Sequence, residues 1–128
     1  MNARPDTFAR RVFFWAGLYG LLVLAPMYLM EDRLGQMFPP AITHPENFYG
    51  FIGVAIAWQL AFLVISRDPV RYRALMLPAI AEKLLGSGPA FVLYALGRLP
   101  GALLGAAAVD MLLAALFFVA WRRTRQDG

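Results

Sequence analysis

The sequence predicts an all-α fold, a bundle of four membrane-spanning helices, and three observations predict it. Hydrophobic residues make up 60% of the 128 and charged residues only 16%, against about 45–50% and 25% in a soluble domain. So short a chain cannot bury that excess in a core of its own, so lipid is the expected solvent. Four long apolar stretches take up most of the chain and leave no room for a separate soluble unit, so residues 1–128 read as a single membrane domain. Arginines cluster beside these stretches, as membrane orientation requires.

The first span covers residues 12–30, VFFWAGLYGLLVLAPMYLM. A helix of that length rises about 28 Å, close to the roughly 30 Å hydrocarbon core. The polar leader before it, with Arg4, Arg10 and Arg11, resembles the start of a signal peptide. The apolar region of a signal peptide is shorter, about 7–15 residues, and ends at a small-residue cleavage site. Here Glu31, Asp32 and Arg33 follow instead, so a retained helix is expected. A polar loop with Pro39, Pro40, His44 and Pro45 leads to the second span, residues 47–66. A short arginine-bearing loop precedes the third span, residues 74–97, which is interrupted by Pro78, by Glu82 and Lys83, and by Gly86, Ser87, Gly88 and Pro89. Arg98 marks a tight turn into the fourth span, residues 99–121. In a second division, residues 67–83 lie in the interface as an amphipathic helix and the third span begins at Leu84.

Orientation follows from the arginines. Arg4, Arg10, Arg11, Arg67, Arg71, Arg73, Arg122, Arg123 and Arg125 flank the two termini and the second loop, whereas Arg33 and Arg98 are alone on the other side. Both termini are therefore expected on the cytoplasmic side of a bacterial inner membrane, in a multi-pass protein. The same distribution argues against nucleic acid as a partner, although the net charge is +4. The arginines are flanks suited to anionic headgroups rather than a basic patch on one face. The absence of cysteine excludes disulfides and thiolate metal sites within this chain. No phosphate-binding glycine motif, nucleotide fingerprint or HExxH is present, and no span carries histidine, which excludes a bis-histidine haem held by this chain alone. No cofactor or metal is expected. His44, with Glu46 close by, reads as a loop residue.

The polar residues inside the spans are the most informative feature. An ionisable side chain at mid-membrane costs at least ~2.5–3.5 kcal/mol on insertion scales and marks a candidate site. Counted from the arginine side, Gln59 lies about 12 Å deep, Glu82 about 13 Å, Lys83 about 15 Å and Asp110 about 18 Å. Three helices thus deliver polar groups to one layer. Glu82 and Lys83 point about 100° apart and are not expected to face each other. Lys83 is left to pair with Asp110, and Gln59 to donate to Glu82. Trp58, beside Gln59, is a candidate wall of this layer. The interruptions around Glu82 and Lys83 suit a broken helix, the setting in which transporters place binding sites, or a simple kink. Gly97, Gly101 and Gly105 form overlapping GxxxG spacings on the fourth span, opposite Asp110, and are candidate packing positions for a neighbouring helix.

The stretches FYGFIGVAIAWQLAFLVISRDPVRYR, LPAIAEK and VDMLLAALFFVAWRRT resemble small, uncharacterised four-helix membrane proteins of bacteria, and the layout resembles the DoxX-like families. The resemblance implies the four-helix fold and carries no established activity. The chain is more distantly similar to the EXPERA sterol-isomerase fold, but lacks its early acidic residues and intramembrane histidine. It matches small multidrug transporters in size, but lacks the glutamate they need in the first helix.

Three functional expectations follow. The leading one is a non-catalytic accessory or scaffold subunit of a membrane complex, with a membrane-protein partner or a second copy packed on the glycine stripe. The alternative is a binder or modifier of a small lipophilic molecule, using Glu82, Lys83 and Asp110 beside Gln59 and Trp58. The third is a small dimeric transporter in which the carboxylates couple protons to substrate.

Overall fold

The computed structural model describes residues 6–124, and the described residues hold five α-helices and no strand. They are α1 (Thr7–Leu24), α2 (Glu31–Met37), α3 (Pro45–Arg67), α4 (Met76–Ala95) and α5 (Leu104–Arg123). Short 3₁₀ turns extend three of them, giving four segments long and apolar enough to cross a membrane: Thr7–Leu29, Pro45–Arg67, Arg73–Ala95 and Gly101–Arg123. Each has 23 residues, a rise of roughly 34 Å. Lipid offers backbone amides no partner, so apolar stretches of this length satisfy them internally as helices.

The termini of these elements correct the sequence reading, each for a local reason. The first helix begins at Thr7 rather than residue 12. Asp6 pairs with Arg10 one turn on, at 3.0 Å, and Arg10 Nη1 donates to the Arg67 carbonyl at 2.6 Å. That bond satisfies a carbonyl left open at the C-terminal end of α3. Pro26 falls in the 3₁₀ turn Ala25–Leu29, where α1 ends. The expected loop contains α2, which Glu31 and Asp32 open with charge favourable to a helix N-terminus. Pro45 starts α3 at a position where its missing N–H costs nothing.

The third span is not broken. Pro78 is the third residue of α4, where its amide would have no intrahelical partner anyway, and the helix continues through Gly86, Ser87, Gly88 and Pro89. α4 runs without interruption from Met76, so residues 76–83 and those from Leu84 onward belong to one helix. What ends α4 is Gly97, at φ +73°. Arg98 N–H donates to the Leu93 carbonyl at 2.8 Å and Gly97 N–H to the Tyr94 carbonyl at 3.0 Å, a Schellman closure that favours glycine at the left-handed position. Pro100 is extended, and α5 proper starts only at Leu104. Gly97, Gly101 and Gly105 therefore do not form one helical stripe, because Gly97 belongs to the turn. Gly101 and Gly105 are exposed.

Each spanning helix buries one narrow stripe at three- and four-residue spacing. In α3 it is Ile52, Ala55, Gln59, Phe62 and Ile65; in α4, Met76, Ala79, Lys83 and Ser87; in α5, Ala107, Ala114, Phe117 and Ala120. This is the pattern of helices packed side by side at small crossing angles. The outer faces carry exposed Leu, Val and Phe, as lipid contact requires. α1 packs along α3, and α4 along α5; α1 also meets α5, while α3 and α4 touch little. The bundle is thus two antiparallel hairpins.

These hairpins converge at the end holding the 68–75 loop. There Phe13 stacks on Phe117 at 4.3 Å, and Phe62 meets both rings edge-on, at 6.0 and 4.9 Å. Ile65, Met76, Ala79 and Ala120 complete this core. Arginines tie the same end together: Arg73 donates to the Trp121 carbonyl at 3.0 Å and lies over its ring, and Arg123 lies over Phe8. Arg4 and Arg125 fall outside the described residues. Toward the other end burial ceases, at Gly20 in α1, Ser87 in α4 and Ala107 in α5. The hairpins part there and leave a cavity between them.

Candidate functional site

The cavity has a volume of about 280 Å³ and receives residues from all four spanning segments. α1 and the turn after it, together with α3, give an apolar wall of Val23, Leu24, Met27 and Phe51. Gln59, Glu82, Lys83, Ser87 and Asp110 line the same space. The aromatic core closes it toward the arginine-rich end: Phe62, one turn below Gln59, lies under Lys83 with the ammonium 5.3 Å from the ring centroid. The layer inferred from depth alone is therefore a physical cluster.

Lys83 is its centre and is only 5% exposed. Its Nζ lies 3.4 Å from Asp110 Oδ1, so the expected pairing across α4 and α5 is made. Nζ also lies 3.7 Å from Glu82 Oε2. The adjacent residues do meet, contrary to expectation, because the long flexible lysine stem can curl back where two Cβ directions diverge. Ser87 Oγ donates to Asp110 Oδ2 at 2.5 Å. Asp110 thus has both oxygens engaged. Glu82 has the ion-pair contact alone, and Oε2 is buried without a hydrogen-bond donor among the described residues. The carboxylates keep part of their surface open, 21% for Glu82 and 31% for Asp110.

Gln59 is almost wholly buried, at 1%. It does not donate to Glu82 as expected. Its Nε2 donates to the Ala55 carbonyl, one turn back on α3, at 2.9 Å, and Oε1 accepts nothing among the described residues. The room for this side chain comes from α1. A Cβ at Gly20 would collide with the Gln59 amide, and one at Gly17 would come within 2.8 Å of the Gln59 backbone carbonyl. The close approach of the α3 backbone requires glycine at Gly17, while Gly20 leaves the space that the Gln59 side chain fills.

Trp58 does not wall the cavity. One residue before Gln59 it turns away and packs on the aromatic core, 6.3 Å from Phe62. Gly101 and Gly105 lie outside the cluster, and Gly105 faces open space. His44 is exposed, and its ring lies 3.3 Å from the exposed Glu46 carboxylate.

Two features escaped the sequence reading. Ser87 was seen only as part of a weak helix segment, yet it stands four residues after Lys83, on the same helix face, and a partner of Lys83 is in its reach too. Gly17 and Gly20 gave no signal of their own, since the residue they accommodate lies on another helix. Comparison of the chain with protein-family models, with curated proteins and with solved structures gives no match.

Proposed function

We propose that this multi-pass membrane protein binds a small amphipathic molecule in the cavity between its hairpins, with the Glu82, Lys83, Ser87 and Asp110 cluster receiving the polar end. One observation carries the reading: the cluster faces an open, otherwise apolar cavity instead of being packed over. An ion pair that served only to fix helix register would be most stable with apolar side chains sealed around it, since open volume forfeits packing contacts. Small-molecule sites have the opposite character, an apolar pocket with a few convergent polar groups.

The accessory-subunit reading has one supporting observation of its own. Gly105, near the start of α5, faces open space and leaves room for close approach by another membrane helix. In that reading the ion pair is structural. The concentration of arginines at one end supports placing that end, and both termini, in the cytoplasm of a bacterium.

A cysteine at Gly86 tests the binding reading. Gly86 lines the cavity, and a side chain there meets nothing within 4 Å. Gly86→Cys is expected to react with a small maleimide and to be protected by a lipid extract of the native membrane. Equal reaction rates with and without the extract would oppose it.

A further inference from the structure

We infer that the polar end of the molecule held in this cavity is a protonated primary amine, bound by Glu82. The inference rests on the reading of the cavity as a binding site and adds the chemical class of the ligand.

The cavity carries more acceptors than donors. Its charged lining residues are two carboxylates, Glu82 and Asp110, and one ammonium, Lys83. Asp110 is satisfied twice, by Lys83 and by Ser87. Lys83 lies 3.7 Å from Glu82, beyond a hydrogen bond, and donates to Asp110 instead. Glu82 is therefore the carboxylate without a hydrogen-bond donor among the described residues, its buried Oε2 having only the longer ion-pair contact with Lys83. Gln59 adds a second unpartnered acceptor, Oε1, on a side chain that is 1% exposed.

With Glu82 ionised the site is short of one positive charge and of donors, and so discriminates among ligand headgroups. A primary ammonium brings three N–H donors, a full charge and no acceptor, and so supplies what the site lacks. A hydroxyl brings one donor and no charge. A quaternary ammonium brings the charge without an N–H. A carboxylate would add a third anion beside Glu82 and Asp110, and repulsion between like charges at close range rejects it. The apolar wall of Val23, Leu24, Met27 and Phe51 suits an alkyl chain. At ~30 Å³ for each water-sized unit, the volume holds on the order of nine heavy atoms, the size of an octyl amphiphile.

The test uses the full chain in phosphatidylcholine nanodiscs with four tritiated probes: octylamine, octyltrimethylammonium, octanol and octanoate. Binding is measured above that of the Ala106→Phe variant, in which a ring at an exposed lining position fills the cavity. Octylamine is expected to bind saturably and at least tenfold more tightly than the other three. Glu82→Gln is expected to remove at least tenfold of that affinity, and Glu82→Asp to retain the amine preference, with all variants melting like the parent chain. Tighter binding of octanoate or octanol would overturn the amine assignment and leave the cavity reading standing. Octylamine binding unchanged by Glu82→Gln would overturn the role of Glu82. Binding of every probe equal in wild type and Ala106→Phe would overturn the cavity reading itself, and this inference with it.

Discussion

Lys83 and Asp110, 27 residues apart and on opposite helices of one hairpin, hold their charged groups 3.4 Å from each other between two membrane-spanning segments. The lysine is buried and the carboxylate borders the cavity, so each is the other's principal counter-charge.

Removing Lys83 leaves Asp110 with Ser87 alone, and removing Asp110 leaves Lys83 only its 3.7 Å contact with Glu82. Lys83→Met and Asp110→Asn are each expected to lower stability by about 3 kcal/mol, the lower end for breaking a buried pair, because Asp110 keeps some exposure. The double variant is expected to lose less than the sum of the two singles, by at least ~1 kcal/mol, since the Lys83–Asp110 pair is already lost with the first substitution. Reversible unfolding by sodium dodecyl sulfate in mixed micelles measures all three. Strict additivity would mean that the two groups do not interact.

A second prediction concerns the contact of α1 with α3. Gly20→Ala places a methyl group where the Gln59 amide lies, and overpacking of this kind costs about 1–3 kcal/mol. Gln59→Ala removes the obstruction, so the pair Gly20→Ala and Gln59→Ala is expected to recover most of the loss from Gly20→Ala. The same unfolding assay decides. No recovery would show that Gly20 is required for a reason other than Gln59.

The aromatic core gives a third. Phe117→Ala empties a position in contact with Phe13 and Phe62. In a water-soluble protein the cost would include transfer of the ring from water. Between lipid and a helix bundle that contribution is small and the lost packing remains, so the expected loss is about 2 kcal/mol. A loss of 4 kcal/mol or more would indicate that this end is held together as in a soluble core.

Orientation is tested by chemistry the chain itself lacks. It has no cysteine, so a single substitution gives a unique label. Thr43 and Arg71 are both exposed and lie at opposite ends of the bundle. In spheroplasts, Thr43→Cys is expected to react with a membrane-impermeant maleimide, and Arg71→Cys only after the membrane is opened. The reverse pattern would invert the topology.

Much of this was legible in the sequence, for physical reasons that also show where legibility ends. The spans could be read because a lipid-crossing helix needs a long apolar run whatever its neighbours are. The polar layer could be read because depth depends only on distance along a helix, and Gln59, Glu82, Lys83 and Asp110 do reach one cavity. The pairings depended on side-chain reach and on the space left by other helices. Glu82 was expected to turn away from Lys83, and Gln59 to donate to it; the flexible lysine stem and the nearby Ala55 carbonyl decided otherwise. The unbroken α4 has a similar cause. Proline and glycine weaken a helix in water, but lipid gives an opened backbone no alternative partner, so the helix continues through Pro89.

Occupancy of the cavity between the hairpins by a small amphipathic molecule is open to direct measurement. Native mass spectrometry of the wild-type chain and of Ala106→Phe, each extracted gently from its own membrane, tests it most directly. The account predicts a wild-type monomer or dimer carrying a defined small mass that is absent from Ala106→Phe. Wild-type protein recovered with stoichiometric partner subunits, with no small mass that Ala106→Phe removes, would contradict it and leave Lys83 and Asp110 as a structural pair.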